Sequence, residues 1–228
     1  MSQKIVHLIC NAHLDPVWLW EKEEGIAEAL STFRVAAHFC REYDQFVFCH
    51  NEAVLYQWVE EYDPALFAEI QELVKLKKWH IMGGWYLQPD CNMPSGESFC
   101  RQIEVGQRYF KEKFGITPTT AINFDPFGHS RGLVQILKRH GYDSYIFCRP
   151  FADQCKLPAE RFVWVGFDGS EITAARAFGG YTALRGQAVS KLEMYLTERK
   201  NESVGFVLWG VGNHGGGPTK ENIESILR

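Results

Sequence analysis

Short runs rich in β-branched and aromatic residues alternate with longer stretches of helical period along all 228 residues, and that alternation most constrains the fold. "KIVHLIC" reads as a buried strand. "EKEEGIAEALSTFRVAAHFCREY" then places Ile26, Leu30, Phe33, Ala37 and Phe39–Cys40 at the spacing of one helix face. "QFVFCH", "WHIMGGWY", "TTAINFD", "DSYIFCR" and "VGFVLWG" read as further strands, and "RFVWVGFDGSEITAARAF" as two strands joined at an Asp-Gly turn. "AVLYQWVEEYDPALFAEIQELVKLKK" is helical, with a new helix starting at Pro64, whose fixed φ suits a first helical position. "MPSGESFCRQIEVGQRYFKEKFG" is a helix with Ser95 or Ser98 as N-cap and Gly115 as its end. "GLVQILKRHG", closed by Gly141, and "SKLEMYLTERK" are two more. Repeated strand–helix–strand units imply a mainly parallel sheet flanked by helices, as a barrel or an open layer. With no repeat, low-complexity tract or long linker, residues 1–228 read as one α/β domain.

Composition narrows the function classes. At 46% hydrophobic residues the chain can bury a sizeable core, and a net charge of −4 leaves no basic footprint for nucleic acid. The densest basic cluster, "KLKK" at Lys75–Lys78, closes an amphipathic stretch and reads as a solvated helix end. The N-terminal apolar run is too short for a secretory signal, and no run reaches the roughly 20 apolar residues of a membrane helix. The seven cysteines are odd in number, lack C-x-x-C spacing and lie mostly in apolar runs, so they read as reduced, buried thiols of a cytoplasmic protein.

In parallel α/β folds ligands bind beyond the carboxyl ends of the strands, where three polar clusters fall: "HLD", "FDPFGHS" and "GVGNHGGGPT". Extended geometry puts His13 and Asp15 on one face, Cα atoms about 6.5–7 Å apart, within reach of one cation, with Leu14 turned into packing. The bland alternative has His13 on a backbone carbonyl and Asp15 capping a helix. Asp125 stands at a strand mouth before Pro126, placed as a metal ligand, a nucleophile or a turn former. One imidazole and two carboxylates make an oxygen-rich site that suits zinc, with calcium or manganese as alternatives.

Three motifs in order, "NAHLDPVW", "GGWYLQPD…PSGES" and "INFDPFGHS", resemble the start of the catalytic domain of glycoside hydrolase family 38 α-mannosidases. The resemblance implies a mainly parallel, seven-stranded (β/α) barrel-like domain of glycoside hydrolase/deacetylase type. It implies zinc-dependent retaining hydrolysis of terminal α-mannosides, with a mannoside or oligosaccharide as substrate. By motif, His13 and Asp15 resemble zinc ligands, and Asp125 resembles the residue that is both zinc ligand and nucleophile. Trp18 resembles the indole under the mannose ring and Phe127 a second wall. Arg149, carried over by spacing, resembles an arginine beside the nucleophile. In such a mechanism one carboxylate attacks the anomeric carbon and a second, about 5–5.5 Å away, protonates the leaving oxygen.

The chain also departs from the pattern. Family members are several times longer, with a helical bundle and β-domains and a fourth zinc ligand downstream. The chain is therefore expected to be an N-terminal fragment with an incomplete site, binding metal weakly and hydrolysing little. Asn213 and His214 stand where the family usually carries aspartate, so His214 is read as part of a loop at the pocket rim or as a substitute ligand. The acid/base is unassigned: Asp168 reads as a turn residue, Asp153 as an alternative, and Asp90 and Glu97 as site-lining or capping. His129 and Ser130 read as ties for the Asp125 turn. Competing readings are a metal-dependent carbohydrate deacetylase-like hydrolase, with Asp125 as base, and a non-catalytic carbohydrate-binding fragment. No motif sets the oligomeric state.

Overall fold

The computed structural model describes residues 4–212 and 217–228. Its contacts divide the chain into two compact units, one of Met1–Cys49, Gln57–His80 and Tyr181–Arg228, the other of His50–Tyr56 and Ile81–Gly180.

In the first unit, β1 (Ile5–Asn11) runs parallel to β8 (Val204–Trp209), in register from Ile5↔Val204 to Cys10↔Trp209. On its other side β1 pairs parallel with β2 (Phe48–Glu52), Cys10 opposite Phe48. A four-stranded sheet of order β3-β2-β1-β8 includes β3 (Trp79–Trp85), whose residues from Ile81, like those of β2 from His50, are counted with the second unit. Helix α1 (Lys22–Glu42) buries Ile26, Phe33, Ala37, Phe39 and Cys40 of the predicted stripe and also Ala29 and Ala36, while Leu30 is half-buried. Phe33 meets Phe48 and Trp79 edge-on, the favoured geometry for aromatic pairs. The helical run after β2 breaks where Pro64 predicts, into α2 (Ala53–Tyr62) and α3 (Pro64–Lys75), and Asp63 caps α3 by accepting from the Leu66 amide. "KLKK" ends α3 as expected, but its last member is engaged: Lys78 Nζ donates to the carbonyls of Tyr43 and Asp44 just past α1. Helix α7 (Lys220–Leu227), absent from the sequence reading, starts at Thr219, whose hydroxyl accepts from the Asn222 amide. Asn222 in turn accepts from the first amide of α6 (Ala188–Glu198).

In the second unit a sheet of order β4-β5-β7-β6 joins β4 (Thr120–Asn123), β5 (Ser144–Phe147) and β7 (Glu171–Arg176) in parallel, with β6 (Arg161–Val165) antiparallel at the edge. The β6–β7 hairpin turns at Asp168-Gly169, where Gly169 has φ 82°. Helix α4 (Gly96–Phe114) is capped by Ser95 and closed by left-handed Gly115. It lies against β3, and a side chain at Gly106 would collide with the Trp85 and Tyr86 backbone. Helix α5 (Leu133–Arg139) completes the unit. Its core holds Trp85, Phe99, Ile103, Leu133, Val134, Leu137, Tyr142 and Tyr145.

The parallel α/β character expected from the sequence is present. The expected seven-stranded barrel-like sheet is corrected in count and arrangement: the described residues hold eight strands in two four-stranded sheets. Eight is also the number of strand-like runs in the sequence, and both arms of the "DGS" hairpin join one sheet, with β6 an antiparallel edge beside parallel neighbours. All seven cysteines are free thiols, five of them buried, and burial pushes Cys40 and Cys91 up to about 11 and Cys49 up to about 12. Such thiols stay protonated and inert at neutral pH. No helix among the described residues is long and apolar enough to cross a membrane.

Candidate active site

Two constellations stand at strand mouths, one in each unit. In the first unit the segment after β1 brings the His13 and Asp15 side chains together while Leu14 is buried, as the H-x-D spacing predicts. Asn11 fixes the mouth by donating to the carbonyls of Trp209 and Tyr181, and the buried His13 ring rests on the Tyr181 ring with centroids 4.5 Å apart. Gly210 is required beside it, because a Cβ there would lie 1.9 Å from the Asn11 carbonyl oxygen.

His13 Nε2 faces Asp15 Oδ1 at 3.5 Å. That separation exceeds the roughly 3.2 Å limit of a good N–H···O bond. It fits two donors sharing one ion: at bond lengths of about 2.0–2.1 Å, a tetrahedral angle separates donor atoms by about 3.3–3.4 Å. One imidazole and one carboxylate so spaced fit two corners of a zinc site. Among the described residues no group of three or more His, Cys, Asp or Glu gathers as a metal cluster.

Trp18 lies on the same loop with its indole 62% exposed, a surface open to a ligand. Its orientation is set indirectly. Trp20 donates its indole N–H to the Asp15 carbonyl, and Trp18 packs edge-on against Trp20 at 5.5 Å.

In the second unit Asp125 follows β4 and forms an ion pair with Arg149, Nε to Oδ1 at 2.6 Å. The Arg149 guanidinium also lies 5.9 Å from the exposed Phe127 ring and 5.6 Å from Phe151, within cation–π range. The carry-over of Arg149 by spacing thus meets Asp125 directly. Gly128, at φ 124°, makes the turn, and a Cβ there would meet the Asn92 amide nitrogen at 2.3 Å.

His129 ties this turn down. A carbonyl only accepts, so Nε2 donates to the Arg149 oxygen at 2.8 Å, which leaves Nδ1 to accept from the Tyr145 hydroxyl at 3.1 Å. Burial holds the His129 pKa below its ordinary 6.5, partly opposed by the bond to Arg149. A histidine depressed on folding contributes stability that is intact above the unfolded value and fades as pH falls below it. Unfolding midpoints in urea at pH 7.5 and pH 5.5 should therefore fall further for the wild type than for His129→Gln, which has no proton to take up. Equal falls would mean His129 does not carry the effect.

The remaining candidates have structural partners. Ser130 accepts from the Gly132 amide, and Asp168 accepts from the Ser170 amide, which holds its carboxyl below the usual range. Asp90 accepts from the Asn92 amide, Glu97 pairs with Arg101 on the surface of α4, and Asp153 is exposed. Asn213 and His214 lie outside the described residues. Sequence reasoning missed Tyr181, Gln88 and Asn92. Each works by ring packing or by bonds to a distant backbone group, and neither leaves a sequence pattern.

Residues 3–228 match the family described as "Glycosyl hydrolases family 38 N-terminal domain". The chain is 33% identical over 230 residues to "Alpha-mannosidase G" of Dictyostelium discoideum, covering 99% of this chain and 21% of that protein. It is 28% identical over 231 residues to "Alpha-mannosidase 2C1" of Mus musculus, covering 100% of this chain and 22% of that protein. The chain thus spans about a fifth of the length of these relatives. In fold it is similar to the crystal structure of an alpha-mannosidase from Enterococcus faecalis V583, with TM-score 0.81, 17% identity, 95% of this chain and 26% of that one. A putative polysaccharide deacetylase from Mycobacterium smegmatis shares the fold at TM-score 0.63 and 8% identity, over 91% of this chain and 77% of that one. With the motifs at both strand mouths and a match along nearly its whole length, the chain belongs to glycosyl hydrolase family 38, as its N-terminal domain.

Proposed function

We propose that this chain supplies the nucleophile and two zinc ligands of a retaining α-mannosidase. The observation that carries the reading is the 3.5 Å approach of His13 Nε2 to Asp15 Oδ1 on the loop that also presents Trp18. Zinc would be held by His13 and Asp15, and would supply a Lewis-acid contact for neighbouring sugar hydroxyls.

The protein's own groups do the rest. Trp18 offers an apolar face to the C–H face of a mannose ring, and Phe127 is a second exposed aromatic, beside Arg149. Arg149 brings a positive charge 2.6 Å from Asp125. The Asp125 carboxylate attacks the anomeric carbon as the bond to the leaving oxygen breaks. A second carboxylic acid protonates that oxygen, and water then cleaves the glycosyl ester with retention.

A fluorinated mannosyl fluoride, which forms the ester faster than water clears it, tests this reading. Peptide mapping should find the sugar on Asp125. Hydrolysis of a mannoside without any such adduct would instead point to water activation, as in a deacetylase-like site.

A further inference from the structure

The strand-end that carries Asp125 is stitched to the loop after β3 by four side-chain bonds. Gln88 Oε1 accepts from the Phe124 amide at 2.7 Å. Asn123 Nδ2 donates to the Pro89 carbonyl at 2.7 Å and to Cys91 Sγ at 3.0 Å. Asn92 Nδ2 donates to the Phe127 carbonyl at 2.8 Å. Asp125 is thus bracketed by Gln88 at the residue before it and by Asn92 two residues after it.

Gln88 is itself held. Its Nε2 donates to Glu52 Oε1 at 2.9 Å, and Glu52, at the end of β2, is 1% exposed. An amide hydrogen needs an oxygen acceptor and a carboxylate needs a donor, so only one orientation of the Gln88 amide satisfies both partners. A carboxylate is seldom buried unless it is well bonded, and this one sits where it fixes the side chain that fixes the nucleophile's backbone.

We infer that Gln88, oriented by the buried Glu52 carboxylate, is a positioning residue for Asp125: it sets the direction of the carboxylate by locking the Phe124 amide. The inference rests on Asp125 being the nucleophile, but its structural half can be tested without that. Gln88 touches no reacting atom. Its effect should fall on the reaction rate and on local geometry, beyond the stability that the lost bond to Glu52 costs.

The test uses Gln88→Met, Gln88→Glu and the exchanged pair Glu52→Gln/Gln88→Glu. Gln88→Met removes the acceptor for Phe124. Gln88→Glu keeps it but sets two carboxylates against each other. The exchanged pair restores both bonds with the polarity of the 52–88 contact reversed. Amide hydrogen exchange at Phe124 and the NMR signal of the Arg149 Nε–H report geometry. Labelling by the fluorinated mannosyl fluoride, followed by intact mass, reports the nucleophile.

In both single variants the Arg149 Nε–H signal should move. Phe124 exchange should rise in Gln88→Met, and both signals should return in the exchanged pair. Labelling should slow by on the order of 10- to 100-fold in the single variants, the scale of a small misplacement of a reacting group. It should recover to within about threefold of the wild type in the exchanged pair. Labelling is read with the chain in the matching segment of a full-length α-mannosidase; if the wild type does not label there, the nucleophile assignment fails, while the exchange and Arg149 signals still decide whether Gln88 positions this segment. Unchanged signals in Gln88→Met, or wild-type labelling by a Gln88→Met protein whose Phe124 exchanges freely, would overturn the inference. A Gln88→Met chain that fails to fold leaves Gln88→Glu and its rescue to decide.

Discussion

Asp125→Ala should lower turnover of an aryl α-mannoside by at least about 10⁴-fold, the scale seen when a covalent nucleophile is removed. A direct assay places this chain in the matching segment of Dictyostelium α-mannosidase G, of which it covers 21%. The loss should appear in kcat, because the carboxylate bonds to the sugar only along the reaction path. Unfolding does not explain such a loss. The Asp125–Arg149 pair is partly open, with side chains 22% and 39% exposed, so breaking it should cost about 1 kcal/mol or less. Added azide should restore part of the turnover and give a glycosyl azide of inverted configuration, because the small anion then attacks the anomeric carbon directly. A variant that keeps within about tenfold of wild-type kcat would remove Asp125 from the reaction.

His13→Ala should weaken zinc binding by more than about 100-fold. Loss of a group that merely orients a metal ligand already costs about 10- to 100-fold, and a ligand must count for more. Calorimetric titration of zinc into the wild type, His13→Ala and Asp15→Asn would read this directly. Zinc should raise the unfolding midpoint of the wild type, since an ion bound only to the folded state stabilises it by about 2.7 kcal/mol at 100 times its Kd. The midpoint of His13→Ala should hardly respond. Trp18→Ala, on the same loop but bearing no donor, should keep the zinc response. If His13→Ala matches the wild type in affinity, the imidazole is a packing group against Tyr181 and nothing more.

Much of this arrangement was legible in the residues. The helix breaks at Pro64 and Gly115 follow from φ preferences that operate within one or two residues, and both appear where the sequence puts them. The approach of His13 to Asp15 follows from their H-x-D spacing. The turn roles of Asp168 and Ser130 follow from short side-chain acceptors that reach their own backbone. What stayed hidden involves partners far apart in sequence. Gln88 and Phe124 are 36 residues apart, and Asn11 and Trp209 are 198 apart. Those bonds form only after the sheets assemble. Division into two four-stranded sheets was hidden for the same reason, since strand order depends on long-range pairing that local patterns do not encode. Helix α7 was missed because it is short, and its Thr219 cap follows the glycine-rich segment directly.

Diffraction from zinc-grown crystals on both sides of the zinc absorption edge tests the central claim most directly. A single anomalous peak about 2.0–2.2 Å from His13 Nε2 and an Asp15 carboxylate oxygen is expected. A peak bound elsewhere, or none beside His13 in crystals that hold zinc at other sites, would contradict it.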